Sequence, residues 1–393
     1  MKKKKLAIFL SHPIQYFSPL FKYISENSKI IDLTVYYFSD ISIRGFADND
    51  FNQKITWDID LLDGYNYKFL KNIHNENTPN NFFSLINFEV FSEIKHNNYD
   101  LVLNFGWSTV SNLFVVFSSI LYDVPFAIRG ESPNMYEVGR KGLKQKIRKL
   151  LLSFIFKKAS ALFYIGTQNK LFYENSFNVD SNKLFFTPYS VNNDYFVEYE
   201  LTLNKEKERE HLGIPKNQKV LIFSGKLIKR KEPMLILEAL REINREDYCL
   251  LFLGSGPLED ELKEYSKIND LNVKFLGFIN QTDIPKYYLF SDIFILPSTH
   301  ETWGLVVNEA MCCKNAIISS SLVGSSYDIV KDDYNGYVFK SGDVNSLKEK
   351  IELLLYDNDM LENFKLNSFN IMQSWNYKKI QEGLERYFVN GKS

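Results

Sequence analysis

Glu301 and Glu309 stand with seven residues between them in the stretch Ser298–Met311 (STHETWGLVVNEAM). The polar loop Ser298–Trp303 gives way near Gly304 to an apolar helical run in which Glu309 is the one acid. A carboxylate in such a run costs free energy if it is buried without partners, so Glu309 either meets a ligand or a donor, or faces solvent. The first N–H groups of the helix lack intrahelical acceptors and sit at the positive end of its dipole, an arrangement suited to phosphate. Cations lie upstream. The apolar run Val220–Ser224 leads into Gly225–Lys231 (GKLIKRK), with Pro233 opening the next helix. This loop is either a phosphate-binding loop or a lysine-rich surface loop. Gly254-Ser255-Gly256-Pro257 follows another apolar run and is either a close-approach ligand loop or a structural turn.

These residues need strand ends and helix starts to hold them. In the first half, Leu6–Leu10, Leu33–Phe38, Leu101–Phe105, Phe126–Arg129, Ala161–Ile165 and Leu184–Thr187 read as strands. In the second half, Val220–Ser224, Cys249–Gly254, Val273–Leu276, Ile293–Pro297, Ala316–Ser319 and Gly336–Phe339 do. Pro233–Ile243, Pro257–Asn269, Val306–Cys312 and Val344–Tyr356 have helical patterns. Continuous apolar strands alternating with helices indicate an α/β fold with parallel sheets covered on both faces. Two such sheets in series make two doubly wound, Rossmann-like domains, expected at residues 1–200 and 201–370. Residues 371–393 form a terminal helix expected to return to the first domain. Ligands of such sheets bind beyond the carboxyl ends of the strands. A cleft between facing domains is therefore the expected site.

The second half resembles the retaining GT-B glycosyltransferases, specifically glycosyltransferase family 4. The resemblance rests on the Glu301/Glu309 pair, on Ser224-Gly225-Lys226 with Lys231, and on Gly254-Ser255-Gly256-Pro257. Val273–Ile279 (VKFLGFI), Ile284–Tyr288, Ser291-Asp292 and Gly336–Phe339 follow in the family's order. It implies GT-B architecture and a nucleoside-diphosphate-sugar donor. Glu309 would accept from ribose hydroxyls, and Glu301 would lie beside the transferred sugar. Lys226 and Lys231 would neutralise the diphosphate with the N–H groups of Gly304, Leu305 and Val306, while Phe278 and Ile279 would frame the base. Gly225 and Gly254 belong to the same donor-binding set. Lys226 replaces the family's usual arginine, supplying charge without a planar fork.

In the first half, His12 follows the first strand within Ser11–Leu20 (SHPIQYFSPL), a segment resembling a His-Pro-Ile-Gln-Tyr variant of the family. His12 is a candidate contact to diphosphate or acceptor, or a structural residue. Arg129 and Glu131 end one strand and Asn104 another, as acceptor-side candidates. Asp58-Ile59-Asp60 spells the Asp-x-Asp of metal-dependent glycosyltransferases outside any nucleotide-binding context, and reads as chance. No metal and no cofactor are expected. Lys141–Lys158 carries seven basic residues and no acid, either a helix lying on an anionic membrane surface or a core-packed helix with a basic face.

Charge and composition bound the reading. Of 393 residues, 47 are Lys or Arg and 48 Asp or Glu, so nucleic acid is not the expected partner. Residues 1–190 carry a net charge of +5 and the remainder −6. Three cysteines with no zinc spacing suit a reducing compartment. The apolar run Leu6–Leu10 is too short for a signal sequence, and a cytoplasmic protein, peripheral on the membrane's inner face, is expected. The expected function is metal-independent hexosyl transfer, with retention, from a UDP- or GDP-sugar to a glycan or lipid-linked acceptor of surface polysaccharide synthesis. A GT-B nucleotide-sugar epimerase and a non-catalytic nucleotide-sugar-binding subunit are the alternatives.

Overall fold

The computed structural model describes residues 2–48, 53–74, 81–243, 245 and 247–390. Residues 391–393, the end of the expected terminal helix segment, lie outside them. The chain divides into two compact units. The first comprises Met1–Phe46, Ile59–Tyr189 and Tyr377–Ser393, and the second Ala47–Asp58 and Ser190–Asn376.

In the order of the chain the first unit holds β1 (Lys4–Leu10), α1 (Ser18–Asn27), β2 (Ile31–Tyr37) and α2 (Ile41–Arg44). The short strands β3 (Phe46–Asp48) and β4 (Gln53–Ile55) then pair as a two-stranded arm. The first unit continues with β5 (Asn66–Phe69), α3 (Glu89–His96), β6 (Leu101–Phe105), α4 (Val110–Leu121), β7 (Phe126–Arg129) and α5 (Leu143–Lys158). It closes with β8 (Ala161–Tyr164), α6 (Thr167–Leu171) and β9 (Leu184–Phe186). Its seven strands are ordered β5-β2-β1-β6-β7-β8-β9, parallel throughout. Apolar side chains cover both faces, as the continuous runs require. Val90, Val115 and Ile155 of α3, α4 and α5 pack on one face, and Phe21 and Ile24 of α1 on the other.

The second unit holds α7 (Asn193–Thr202), α8 (Lys205–His211), β10 (Lys219–Ser224), α9 (Pro233–Arg241), β11 (Tyr248–Leu253) and α10 (Glu259–Ile268). It continues with β12 (Val273–Phe275), α11 (Ile284–Leu289), β13 (Ile293–Leu296), α12 (Leu305–Cys312) and β14 (Ala316–Ser320). Last come β15 (Gly336–Phe339), α13 (Val344–Tyr356) and α14 (Asn358–Met372). Its parallel sheet has the order β12-β11-β10-β13-β14-β15. The final helix α15 (Tyr377–Asn390) rejoins the first unit, where Tyr377, Ile380 and Leu384 are buried with Phe21. Both units are Rossmann-like α/β folds.

In each sheet the chain reverses its direction of growth once, between β1 and β6 and between β10 and β13. The loops leaving those strands diverge, and the crevice they leave is where such sheets bind ligands. All four residues of β13 are buried, each worth about 1.5–3 kcal/mol in removed apolar surface, so the loop after it starts from a rigid base.

Three boundaries differ from the sequence expectation. The division falls at Tyr189/Ser190 rather than at residue 200, because α7 packs on α11 and α12 and Asn193 donates to the carbonyls of Met372 and Trp375. Residues 47–58 belong to the second unit although flanked by the first. The helix after the glycine-proline turn begins at Glu259, not Pro257, because the Leu258 N–H turns back to the Leu227 carbonyl at 3.1 Å.

Candidate active site

The carboxyl ends of β10, β11 and β13 bring the cations, the glycine turn and Glu301 together. Gly254, after β11, has φ +134°, and a Cβ there would lie 2.0 Å from the Gly225 carbonyl oxygen. Only glycine permits that approach. The two loops are zipped by Leu227 N–H to the Ser255 carbonyl at 3.0 Å. The loop after β13 joins them through Thr299 N–H to the Arg230 carbonyl at 2.9 Å. Backbone bonds thus lock three loops before any side chain is placed.

Within this frame Lys231 pairs directly with the Glu301 carboxylate, both largely enclosed at 14% and 19% exposure. Partial desolvation strengthens such a pair beyond a surface ion pair. Lys226 is half-buried on the same loop. Glu301 is held from behind, its carbonyl accepting the Gly324 N–H at 3.0 Å.

Helix α12 begins at Leu305, with Gly304 as its left-handed N-cap at φ +91°. A Cβ at Gly304 would lie 3.0 Å from Leu296 Cδ2, so strand β13 and the helix approach through this glycine. Eight residues make no stable helix alone, but seven of the eight are buried and Val306 alone is half-exposed. Trp303 Nε1 donates to Asn308 Oδ1 at 2.8 Å, and the Trp303 indole stacks on Trp375 at 5.3 Å. These contacts fix the helix start with its N–H groups at the carboxyl end of the sheet.

Glu309 is 1% exposed, so it is not on a solvent face. Its Oε2 accepts the Tyr288 hydroxyl of α11 at 3.0 Å. Tyr288 is itself fully buried. Tyr288 closes the segment Ile284–Tyr288. Its pairing with a residue 21 positions away has no local signature. Burial beside Glu309 pushes the Cys312 and Cys313 thiols well above their ordinary range, so both are inert at neutral pH.

Phe278 and Ile279 lie half-buried beyond β12, where the Gly254 N–H donates to the Gly277 carbonyl at 2.7 Å. The Trp57 ring stands 6.4 Å from that of Phe278. Asp58 is engaged with Thr282, and Asp60 accepts the Leu62 N–H at 2.9 Å. Trp57 could not be singled out from the sequence, because Phe278, the ring it meets, is over two hundred residues away.

The first unit gathers a second group at its own strand ends. His12 follows β1, with Nδ1 and the Ser11 hydroxyl sharing a hydrogen bond at 2.9 Å. Burial pushes its pKa down to about 4, so the imidazole is neutral at pH 7 and offers no charge to a phosphate. Arg129, 4% exposed, reaches Glu131 at 3.1 Å and lies over the rings of Phe17, Phe105 and Tyr189 at 5.0, 5.1 and 4.8 Å. That aromatic cage holds the guanidinium through cation–π attraction and packing. Phe17 comes from the Ser11–Leu20 segment that follows β1. Asn104 differs from the expectation of an acceptor contact. It is fully buried, donating to the Gly106 and Asn112 carbonyls and accepting from Asn112 Nδ2, and its amide supports the start of α4.

Residues 204–370 match the family described as Glycosyl transferases group 1. A Campylobacter jejuni protein is 26% identical over 286 residues, covering 72% of this chain and 71% of its own length. It is named GalNAc-alpha-(1->4)-GalNAc-alpha-(1->3)-diNAcBac-PP-undecaprenol alpha-1,4-N-acetyl-D-galactosaminyltransferase. The Escherichia coli UDP-Gal:alpha-D-GlcNAc-diphosphoundecaprenol alpha-1,3-galactosyltransferase is 26% identical, covering 72% and 75%. Among solved structures, Anabaena Alr3699/HepE in complex with UDP and glucose superposes with a TM-score of 0.72 at 16% identity over 98% of this chain and 100% of its own. That likeness concerns the fold. Residues 204–370 form a glycosyl transferases group 1 domain, and the chain is a glycosyltransferase of GT-B architecture.

Proposed function

We propose that this chain is a retaining, family 4 hexosyltransferase that moves a sugar from a nucleoside diphosphate to a glycan or lipid-linked acceptor in surface polysaccharide synthesis. The observation that carries the reading is the Lys231–Glu301 pair in the crevice between β10 and β13, next to the start of α12. Breaking the anomeric bond leaves negative charge on the diphosphate. In this reading Lys226, Lys231 and the N–H groups of Gly304, Leu305 and Val306 take up that charge, and no metal is called on. Glu301 holds the sugar's hydroxyls. Its ion pair with Lys231 sets the distance between the sugar and phosphate subsites.

Glu309 accepts from the ribose hydroxyls, held by Tyr288, and Phe278 and Ile279 frame the base. With Glu309 this enclosed, the ribose contact requires a small outward movement of its cover. Retention follows a front-face path. The bond from the anomeric carbon to the phosphate oxygen breaks as the acceptor oxygen attacks from the same side, and that phosphate group takes the acceptor's proton. His12, neutral, contributes hydrogen bonding on the acceptor side with Arg129 and Glu131. The undecaprenol-linked acceptors named for the two relatives support a lipid-linked acceptor here, and the UDP-Gal of one supports a UDP-sugar.

We also propose peripheral contact with the cytoplasmic face of an anionic membrane. Among the described residues no helix is long and apolar enough to cross a membrane. Helix α5 buries Leu152, Ile155 and Phe156 but exposes Leu143, Ile147, Leu150 and Phe154, which recur at helical spacing on one face. Lys144, Lys146, Arg148 and Lys149 share that helix, the combination an interfacial helix uses. The direct test is a thermal-shift screen of UDP- and GDP-sugars against the protein and its Glu301→Gln variant. A donor that stabilises the former and loses most of its effect on the latter supports the assignment. Equal shifts in both contradict it.

A further inference from the structure

The arm that crosses to the second unit ends at Thr56, Trp57 and Asp58, and each makes a contact with the five residues 278–282. Asn280 Nδ2 donates to the Thr56 carbonyl at 2.8 Å. The Thr282 N–H donates to the Asp58 carboxylate at 3.2 Å to Oδ2 and 3.3 Å to Oδ1, and the Thr282 hydroxyl donates to Oδ2. Between these two anchors the Trp57 indole meets the Phe278 ring at 6.4 Å and 54°. Both rings are half-buried. Tyr195 closes the far side, its hydroxyl donating to the Thr282 carbonyl at 3.1 Å.

Position gives this corner its meaning. Phe278 follows Gly277, which is bonded to Gly254 at the carboxyl end of the sheet beside the phosphate loops. Thr56 and Asp58 are exposed, and hydrogen bonds in water add little to stability, so the anchors determine where Trp57 stands more than they hold the fold. Two tilted aromatic rings, each half-buried, beside the loops assigned above to the diphosphate, suit a flat heteroaromatic group.

We propose that Trp57 is a donor-binding residue that packs against the base of the nucleoside diphosphate, and that Asp58 is its positioning residue, latching the arm onto residues 278–282. The inference rests on the reading that Phe278 and Ile279 frame the base, and adds to it a wall from a distant part of the chain. It also accounts for Asp58: its carboxylate serves the arm, not a metal.

The test is calorimetric titration of the full chain with UDP, GDP and ribose 5-diphosphate, which lacks a base. For whichever nucleotide binds, Trp57→Ala weakens binding roughly tenfold, the scale of one lost base–aromatic stack, and leaves ribose 5-diphosphate within about twofold. Trp57→Phe recovers most of the loss. Asp58→Asn, with the indole present, shows a smaller loss confined to the nucleotides, which a general structural defect would not show. If Trp57→Ala weakens nucleotide and ribose 5-diphosphate alike, or neither, while Phe278→Ala gives a base-dependent loss, the role of Trp57 is overturned and the base site stands. If Phe278→Ala also leaves nucleotide binding unchanged, the base site itself is misplaced and the inference falls with it.

Discussion

Glu309 and His12 are two ionisable residues that burial treats differently. Glu309 is enclosed, accepts the Tyr288 hydroxyl, and in the proposed site also accepts from the ribose. Glu309→Ala is expected to weaken nucleotide-sugar binding by about 1.5–3 kcal/mol in calorimetry, the scale of hydrogen bonds to a charged group. Unchanged affinity with the fold intact would remove Glu309 from the site. His12 has a folded pKa of about 4 against 6.5 for a free imidazole. The unfolded chain therefore binds more protons between those values, and stability falls as pH drops from 6.5 towards 4. His12→Gln should flatten that part of the stability–pH curve, as followed by denaturant melts at a series of pH values. An unaltered slope would show that other groups set it. The Glu301/Glu309 spacing and the lysine loop were legible because they lie within short segments. Tyr288, Trp57 and the buried role of Asn104 were not, because each depends on a partner that only folding brings near.

At the scale of elements, the strands were readable to within a residue or two wherever both faces are buried, as in Leu101–Phe105, Phe126–Arg129 and Gly336–Phe339. A fully apolar run has few alternatives inside an α/β sheet. Strand β5 (Asn66–Phe69) escaped notice because it is a polar edge strand with three of four residues exposed. The arm β3–β4 escaped because each of its strands is only three residues long. The glycine turn after β11 matters more than its short sequence suggests. Gly254→Ala places a Cβ 2.0 Å from the Gly225 carbonyl and a side chain at φ +134°. It is expected to cost about 1–3 kcal/mol of stability, read from denaturant midpoints, and to loosen the Lys226–Lys231 loop. A variant as stable as the parent would mean that the two loops are free to separate. Helix α5 supports a further expectation. Protein should co-sediment with anionic vesicles at low salt and less so as the Debye length falls from about 10 Å at 0.1 M to about 3 Å at 1 M. Gln at Lys144, Lys146, Arg148 and Lys149, or Ser at Leu150 and Phe154, should each reduce binding. Equal binding to neutral and anionic vesicles, or none to either, would leave α5 as a solvated face.

For the whole molecule, two Rossmann-like units joined by a chain that passes between them four times place the 47–58 arm in the second unit and the C-terminal helix in the first. The two-sheet plan was legible because strand–helix alternation restarts after residue 215, and the group 1 match at residues 204–370 agrees with it. The return of the terminal helix to the first unit was expected as well, whereas the excursion of residues 47–58 was not, because so short a segment carries no pattern that names the unit it packs on. Leaving-group charge is assigned to side chains and a helix terminus, so transfer should proceed in excess chelator; loss of transfer on chelation with recovery on adding Mn²⁺ or Mg²⁺ would overturn that assignment. The central claim is retaining transfer from a nucleoside-diphosphate sugar. Its most direct measurement is an NMR assignment of the anomeric configuration in the product made from the donor found by thermal shift. The new glycosidic bond is expected to keep the configuration the sugar had on the diphosphate. A product of opposite configuration would contradict it.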